Sequence, residues 1–122
     1  MTNTVTVSQS FKREVKPLAK KYHTLKNSVD KLINDLIANP YLGESYGKNI
    51  YKVRLADPSK GTGKSGGFRV MYYHLDISED GVEILLMTIF NKSEMSTIKR
   101  AEADKILRAV LFEHQSRNNE GI

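Results

Sequence analysis

Near residue 50 the apolar residues of this chain change their repeat from helical spacing to strict alternation, and that change dictates a pair of helices followed by a run of strands. Before it, Phe11, Val15, Leu18, Tyr22 and Leu25 recur at spacings of three and four and form one apolar stripe, with Ser8 or Ser10 placed to cap its start. Pro17 inside that stripe predicts a kink or a later helix start. A second helix is expected from Ser28 to Ala38, with Val29, Leu32, Ile33, Leu36 and Ile37 turned inward and Asn39-Pro40 as its stop. After a loop from Tyr41 to Asn49, Ile50 to Leu55 alternates apolar with basic. Tyr51, Val53 and Leu55 then share one face, and Lys52 and Arg54 the other.

Phe68 to Leu75 and Val82 to Phe90 read as two further strands joined through Ser78-Glu-Asp-Gly81, so that three strands form an antiparallel meander. Thr4 to Val7 alternates β-favouring residues as a short opening strand. A last helix is expected from about Thr97 to Gln115, burying Ala103, Ile106, Leu107, Val110 and Leu111, with a frayed tail from about residue 116. The order β-α-α-β-β-β-α describes an α+β fold, an antiparallel sheet packed with an N-terminal helical hairpin and a C-terminal helix. The 122 residues suit one domain spanning 1 to 122.

Composition narrows the function classes. The chain has no cysteine, which excludes a disulfide framework, and no apolar run of membrane-spanning length. Its start lacks the pattern of a secretory signal, so the cytoplasm is the expected location. The net charge of +5 is unevenly spread: residues 11 to 26 carry six bases against Glu14, and residues 48 to 69 carry six against Asp57. Two cationic segments in a chain otherwise net acidic point to a polyanion as partner. On residues 11 to 26, a solvated helix face serves equally well as an explanation.

The glycine-rich segment between the first two strands of the meander contains two misleading motifs. Pro58-Ser-Lys-Gly-Thr-Gly-Lys-Ser65 ends like a phosphate-binding loop, and Gly61-Thr-Gly-Lys-Ser-Gly66 satisfies a dinucleotide fingerprint. Both need a helix to follow, and here a strand follows. The alternative is a cation-bearing hairpin in which Lys52, Arg54, Lys60, Lys64 and Arg69 converge. Such a cluster suits a phosphate that gains negative charge in its transition state. His74 should point away from Arg69; His23 and His114 lack ligand spacing, so neither a metal nor another cofactor is expected. Tyr72, Phe90 and the methionines read as core.

Three segments, Lys52-Val-Arg-Leu, Gly63-Lys-Ser-Gly-Gly-Phe-Arg-Val-Met-Tyr-Tyr73 and Ile84-Leu-Leu-Met-Thr-Ile-Phe-Asn-Lys-Ser-Glu-Met-Ser96, resemble the RelE superfamily of toxins, most closely its HigB-like branch. The resemblance covers most of the chain. It implies a toxin of a toxin-antitoxin pair, an endoribonuclease that cuts mRNA in the ribosomal A site by driving a 2′-hydroxyl onto the adjacent phosphate without a metal. The implied partners are the ribosome, mRNA and an antitoxin bearing a DNA-binding domain. Position by position, Lys52 and Arg54 match residues that act as base or charge stabiliser, Arg69 matches the arginine that holds the scissile phosphate, and Lys92 with Glu94 matches the motif closing the last strand. Met95 stands where a second arginine is expected, and Lys99 near the place of a stacking tyrosine. Lys48, Lys60, Lys64 and Lys99 are candidates to supply the missing charge to RNA, and Tyr73 the missing ring. A ParE-like gyrase inhibitor and a non-catalytic RNA-binding module are the competing readings.

Overall fold

The computed structural model describes residues 2–60, 67–91 and 98–120, with the side chains of Lys60 and 117–120 outside that description. The elements run β1 (Thr4–Val7), α1 (Gln9–Lys21), α2 (Leu25–Ala38), β2 (Glu44–Gly47), β3 (Ile50–Leu55), β4 (Phe68–Ser78), β5 (Gly81–Asn91) and α3 (Arg100–Glu120), with a short 3-10 turn at Pro58–Lys60.

Helix α1 starts where Ser8 can cap it, the Ser8 hydroxyl oxygen accepting from the Phe11 amide at 3.0 Å. It begins ahead of Pro17 and continues through it. Pro17 is exposed, so the carbonyl that loses its helical partner can turn to water instead. Helix α2 starts at Leu25, a turn before the expected Ser28. The Ser28 hydroxyl is occupied by Asp57, 2.8 Å away, and so is not a cap. Helix α3 runs to Glu120, beyond the expected end at Gln115, with no glycine or proline in the chain before Gly121.

The sheet has five strands in the order β1-β5-β4-β3-β2. The expected meander is present as β3-β4-β5, but the sheet is mixed: β1 lies parallel to β5, with Val5 beside Ile84. Alternation in Thr4–Val7 identifies a strand and carries no information on its direction. Strand β2 was expected to be loop. Its four residues, Glu-Ser-Tyr-Gly, lack β-branched alternation, and it owes its pairing to the turn at Gly47, Lys48 and Asn49, which have φ of 81°, 50° and 68°.

Period-two alternation gives each face of the sheet its own core. Val53, Leu55, Phe68, Val70, Tyr72, Ile84 and Leu86 pack under α1 and α2 with Phe11, Leu25, Val29, Leu32 and Leu36. Ile50, Met71, Leu85 and Met87 pack with Ile98 and with Ala103 and Val110 of α3. Tyr72 is fully buried and Phe90 packs partly into the second core, the structural roles expected of them. No helix among the described residues is long and apolar enough to cross a membrane.

Candidate functional site

The pairing of β3 with β4 builds the centre of the site. Arg54 stands directly across from Arg69, and Lys52 across from Met71, so these cations share the α3-facing side of the sheet. Opposite residues in an antiparallel pair have Cβ atoms about 5 Å apart, close enough for like charges to destabilise each other. Gly67 allows the strands to come together here, since a Cβ on it would lie 2.4 Å from the Leu55 carbonyl oxygen.

Arg69 is 5% exposed, and its Nη1 donates to the Phe68 carbonyl oxygen at 3.2 Å. Among the described residues it has no carboxylate partner. The ion pairs among those residues are Arg13–Glu113, Lys31–Asp35 and Arg100–Asp104. Burial first, and then the charge of Arg54, push the Arg69 pKa below its usual value. Burial and a second guanidinium both disfavour the Arg69 charge, and a nearby anion would relieve both.

Both arginines line a recess of about 540 Å³ together with Leu42, Gly43, Glu44, Lys52 and Val53. Glu44 is the cross-strand partner of Lys52 and therefore stands on the same face. The Lys52 ammonium lies 5.2 Å from the centre of the Tyr46 ring, and the Tyr46 hydroxyl donates to the Ile98 carbonyl oxygen at 3.2 Å. Arg100, at the head of α3, comes beside this group: a Cβ on Gly47 would stand 3.0 Å from its Nη1. Sequence reasoning named neither Glu44 nor Arg100. Glu44 was assigned to a loop, and a charged residue at a helix start reads as solvated surface.

The other candidates disperse. Tyr73 shares the face of Arg69, but it packs into the α3-side core across from Ile50, about 13 Å along the strand at four residues' rise. Lys48 is exposed in the β2–β3 turn, at the opposite end of β3 from Arg54. Lys99 is exposed just before α3, next to the Ile98 carbonyl that holds Tyr46. Lys60 ends the 3-10 turn. Lys64, Lys92, Glu94 and Met95 lie outside the described residues. The bases of α1 are exposed along its outer side, consistent with a solvated helix face.

Two anchors from the helical side hold the turn that follows β3 and Gly43 in the wall of the recess. Asp57, 5% exposed, accepts from the hydroxyls of Thr24 at 2.7 Å and Ser28 at 2.8 Å, and from that of Ser59. Burial raises its pKa, but these donors and the charge of His23 outweigh burial and hold the carboxyl below the usual range. The turn leading into the glycine-rich segment is thereby tied to the junction of α1 and α2. The second anchor is the Tyr72 hydroxyl, which accepts from the Gly43 amide at 2.9 Å and donates to the Pro40 carbonyl oxygen at 3.0 Å. His74, 2% exposed, lies in that same layer with Nε2 2.8 Å from the Pro40 carbonyl oxygen, on the face away from Arg69 as expected.

The sequence matches no protein-family model. Among solved structures, the chain is similar to a mutant of the E. coli toxin RelE in the free state, with a TM-score of 0.51 and 16% sequence identity over 79% of this chain and 90% of that one. With the element order and sheet described above, that similarity establishes that this chain has a RelE-like α+β fold.

Proposed function

We propose that this protein is the toxin of a toxin-antitoxin pair and acts as an endoribonuclease on ribosome-bound mRNA in the cytoplasm, along the lines of the HigB-like branch. The observation that carries the reading is the pairing of Arg69, buried and without a described acid partner, with Arg54 directly opposite. A protein gains nothing in stability from two adjacent guanidiniums with no carboxylate between them among the described residues. The arrangement is suited to a phosphate that becomes more anionic as it reacts.

In this reading Arg69 and Arg54 hold the scissile phosphate and stabilise its developing charge, and Lys52 adds a third cation from the same face. Lys99 and Arg100 extend the basic surface past Tyr46, where the RNA strand would continue. Lys60 and Lys64 add charge towards the RNA, and Lys92 and Glu94 keep the role that the sequence resemblance implies for them. An antitoxin neutralises the protein by binding it.

The test is cleavage of mRNA on translating ribosomes by the purified protein. Codon-linked cuts that disappear with Arg69→Ala support the reading. Intact mRNA, or full cutting by that variant, refutes it. Accumulation of cleaved DNA in a gyrase assay would instead favour a gyrase poison.

A further inference from the structure

We infer that Glu44 is the general base of the cleavage reaction and that Lys52, its cross-strand partner, is the general acid. The inference rests on the ribonuclease reading above and concerns the same recess.

Attack by a 2′-hydroxyl requires a group that takes its proton, and departure of the 5′-oxygen requires a group that gives one. An ammonium or guanidinium has a proton to give and no lone pair to receive one. A carboxylate has the reverse capacity. Of the described residues lining the recess, Glu44 alone carries a carboxylate, whereas Lys52, Arg54 and Arg69 are cations. Glu44 and Lys52 are directly opposed in the β2–β3 register, so their Cβ atoms are about 5 Å apart. Neither takes part in an ion pair among the described residues: the Lys52 ammonium lies over Tyr46, and Glu44 is exposed to the recess. The carboxylate is accordingly available to substrate. Its position is set from behind, since the preceding residue, Gly43, is held by the Tyr72 hydroxyl at 2.9 Å.

The step balances within these groups. A Glu44 carboxylate oxygen takes the proton from the ribose 2′-hydroxyl as the 2′-oxygen forms its bond to phosphorus. The bond from phosphorus to the 5′-oxygen breaks, its electron pair goes to that oxygen, and the Lys52 ammonium protonates it. The products are a 2′,3′-cyclic phosphate and a 5′-hydroxyl. The Glu44 carboxylic acid then returns its proton to the Lys52 amine opposite, directly or through water, which restores both groups with no other reactant. Arg54 and Arg69 hold the phosphate throughout.

The experiment is single-turnover cleavage on translating ribosomes across a pH series, with wild type, Glu44→Gln, Glu44→Asp and Lys52→Ala compared after thermal melts confirm that each is folded. Glu44→Gln should cut about 10² to 10⁴ times more slowly and lose the acidic limb of the pH-rate profile. Glu44→Asp should retain part of the rate and the limb. An RNA whose 5′-bridging oxygen is replaced by sulfur has a leaving group that needs no acid. It should restore cutting by Lys52→Ala but not by Glu44→Gln. Wild-type rate and pH profile in Glu44→Gln overturn the assignment while leaving the ribonuclease reading intact. So does sulfur rescue of both variants, or loss of the acidic limb in Glu94→Gln in place of Glu44→Gln. Absence of cutting by the wild type overturns both readings together.

Discussion

Replacing Arg69 by methionine should stabilise the fold while removing activity. Arg69 is 5% exposed and directly opposite Arg54. Two unit charges about 6 Å apart repel by about 3 kcal/mol at an effective dielectric of 20, and by about 1 kcal/mol at 60. Arg54 is exposed, so the lower figure applies. The variant also removes the desolvation penalty of a guanidinium, which amounts to several kcal/mol for a fully buried ion. Against this stands the hydrogen bond to the Phe68 carbonyl oxygen at 3.2 Å. A bond from a charged donor contributes about 1.5 to 3 kcal/mol. Methionine keeps most of the apolar stem's packing. The net expectation is a gain of about 1 kcal/mol, or about 4 °C in Tm for a domain of this size.

Calorimetry in phosphate-free, low-salt buffer measures the difference. Adding a short RNA should raise the wild-type Tm by mass action and leave the variant unchanged, so that the gap closes or reverses. A fall of several degrees in Arg69→Met without RNA would refute the argument, because it would mean that the guanidinium is already neutralised in the folded protein and is not available to a phosphate.

Three other substitutions test the fold that carries the recess. The Glu14 carboxyl accepts from the Thr88 hydroxyl at 2.8 Å and the Ile89 amide at 3.3 Å. Burial raises its pKa more than these donors lower it. A raised folded-state pKa contributes stability below the unfolded value that is lost as pH rises through the folded one, so Glu14→Gln should gain Tm relative to wild type at about pH 7 and lose that advantage at about pH 4. Asp57 has the opposite sign, with stability present above its unfolded pKa and lost as pH falls. Asp57→Asn should therefore cost about 1 to 3 kcal/mol in urea melts at neutral pH, with the gap narrowing below about pH 4. Gly67→Ala places a methyl group 2.4 Å from the Leu55 carbonyl oxygen. It should cost about 1 to 3 kcal/mol and slow cutting by spreading β3 from β4, read by denaturant midpoint and single-turnover rate.

The legible and illegible parts of this molecule divide along physical lines. Alternation in Ile50–Leu55 correctly placed Lys52 and Arg54 on one face, because side-chain parity is a local property of a strand. Parity also put Tyr73 on the face of Arg69, yet it says nothing of distance along that face, and Tyr73 lies about 13 Å from the arginine in the second core. Glu44 was invisible for a different reason. Strand β2 pairs only because residues 47 to 49 turn with positive φ, and two of those three are not glycine. Without that turn Glu44 has no register and no face. The direction of β1 depends likewise on a tertiary contact with β5 that the Thr-Val-Thr-Val pattern does not encode.

The two faces of the sheet are coupled more closely than their separate cores suggest. The cations stand on the α3 side, but Gly43 in the wall of their recess is held from the helical side by Tyr72, as Asp57 holds the Pro58–Lys60 turn that follows β3. Tyr72→Phe isolates this coupling. The ring stays buried and stacked on Tyr51 with centroids 5.3 Å apart, so the register of β3 with β4, and with it the Arg54–Arg69 pair, should persist. Only the hydroxyl that joins Gly43 to Pro40 is lost, and Glu44 loses its fixed position. RNA affinity should then remain near wild type while the cleavage rate falls, because the arginines bind and Glu44 reacts. An equal loss of both would show instead that the core face supports the whole recess and does not position Glu44 separately.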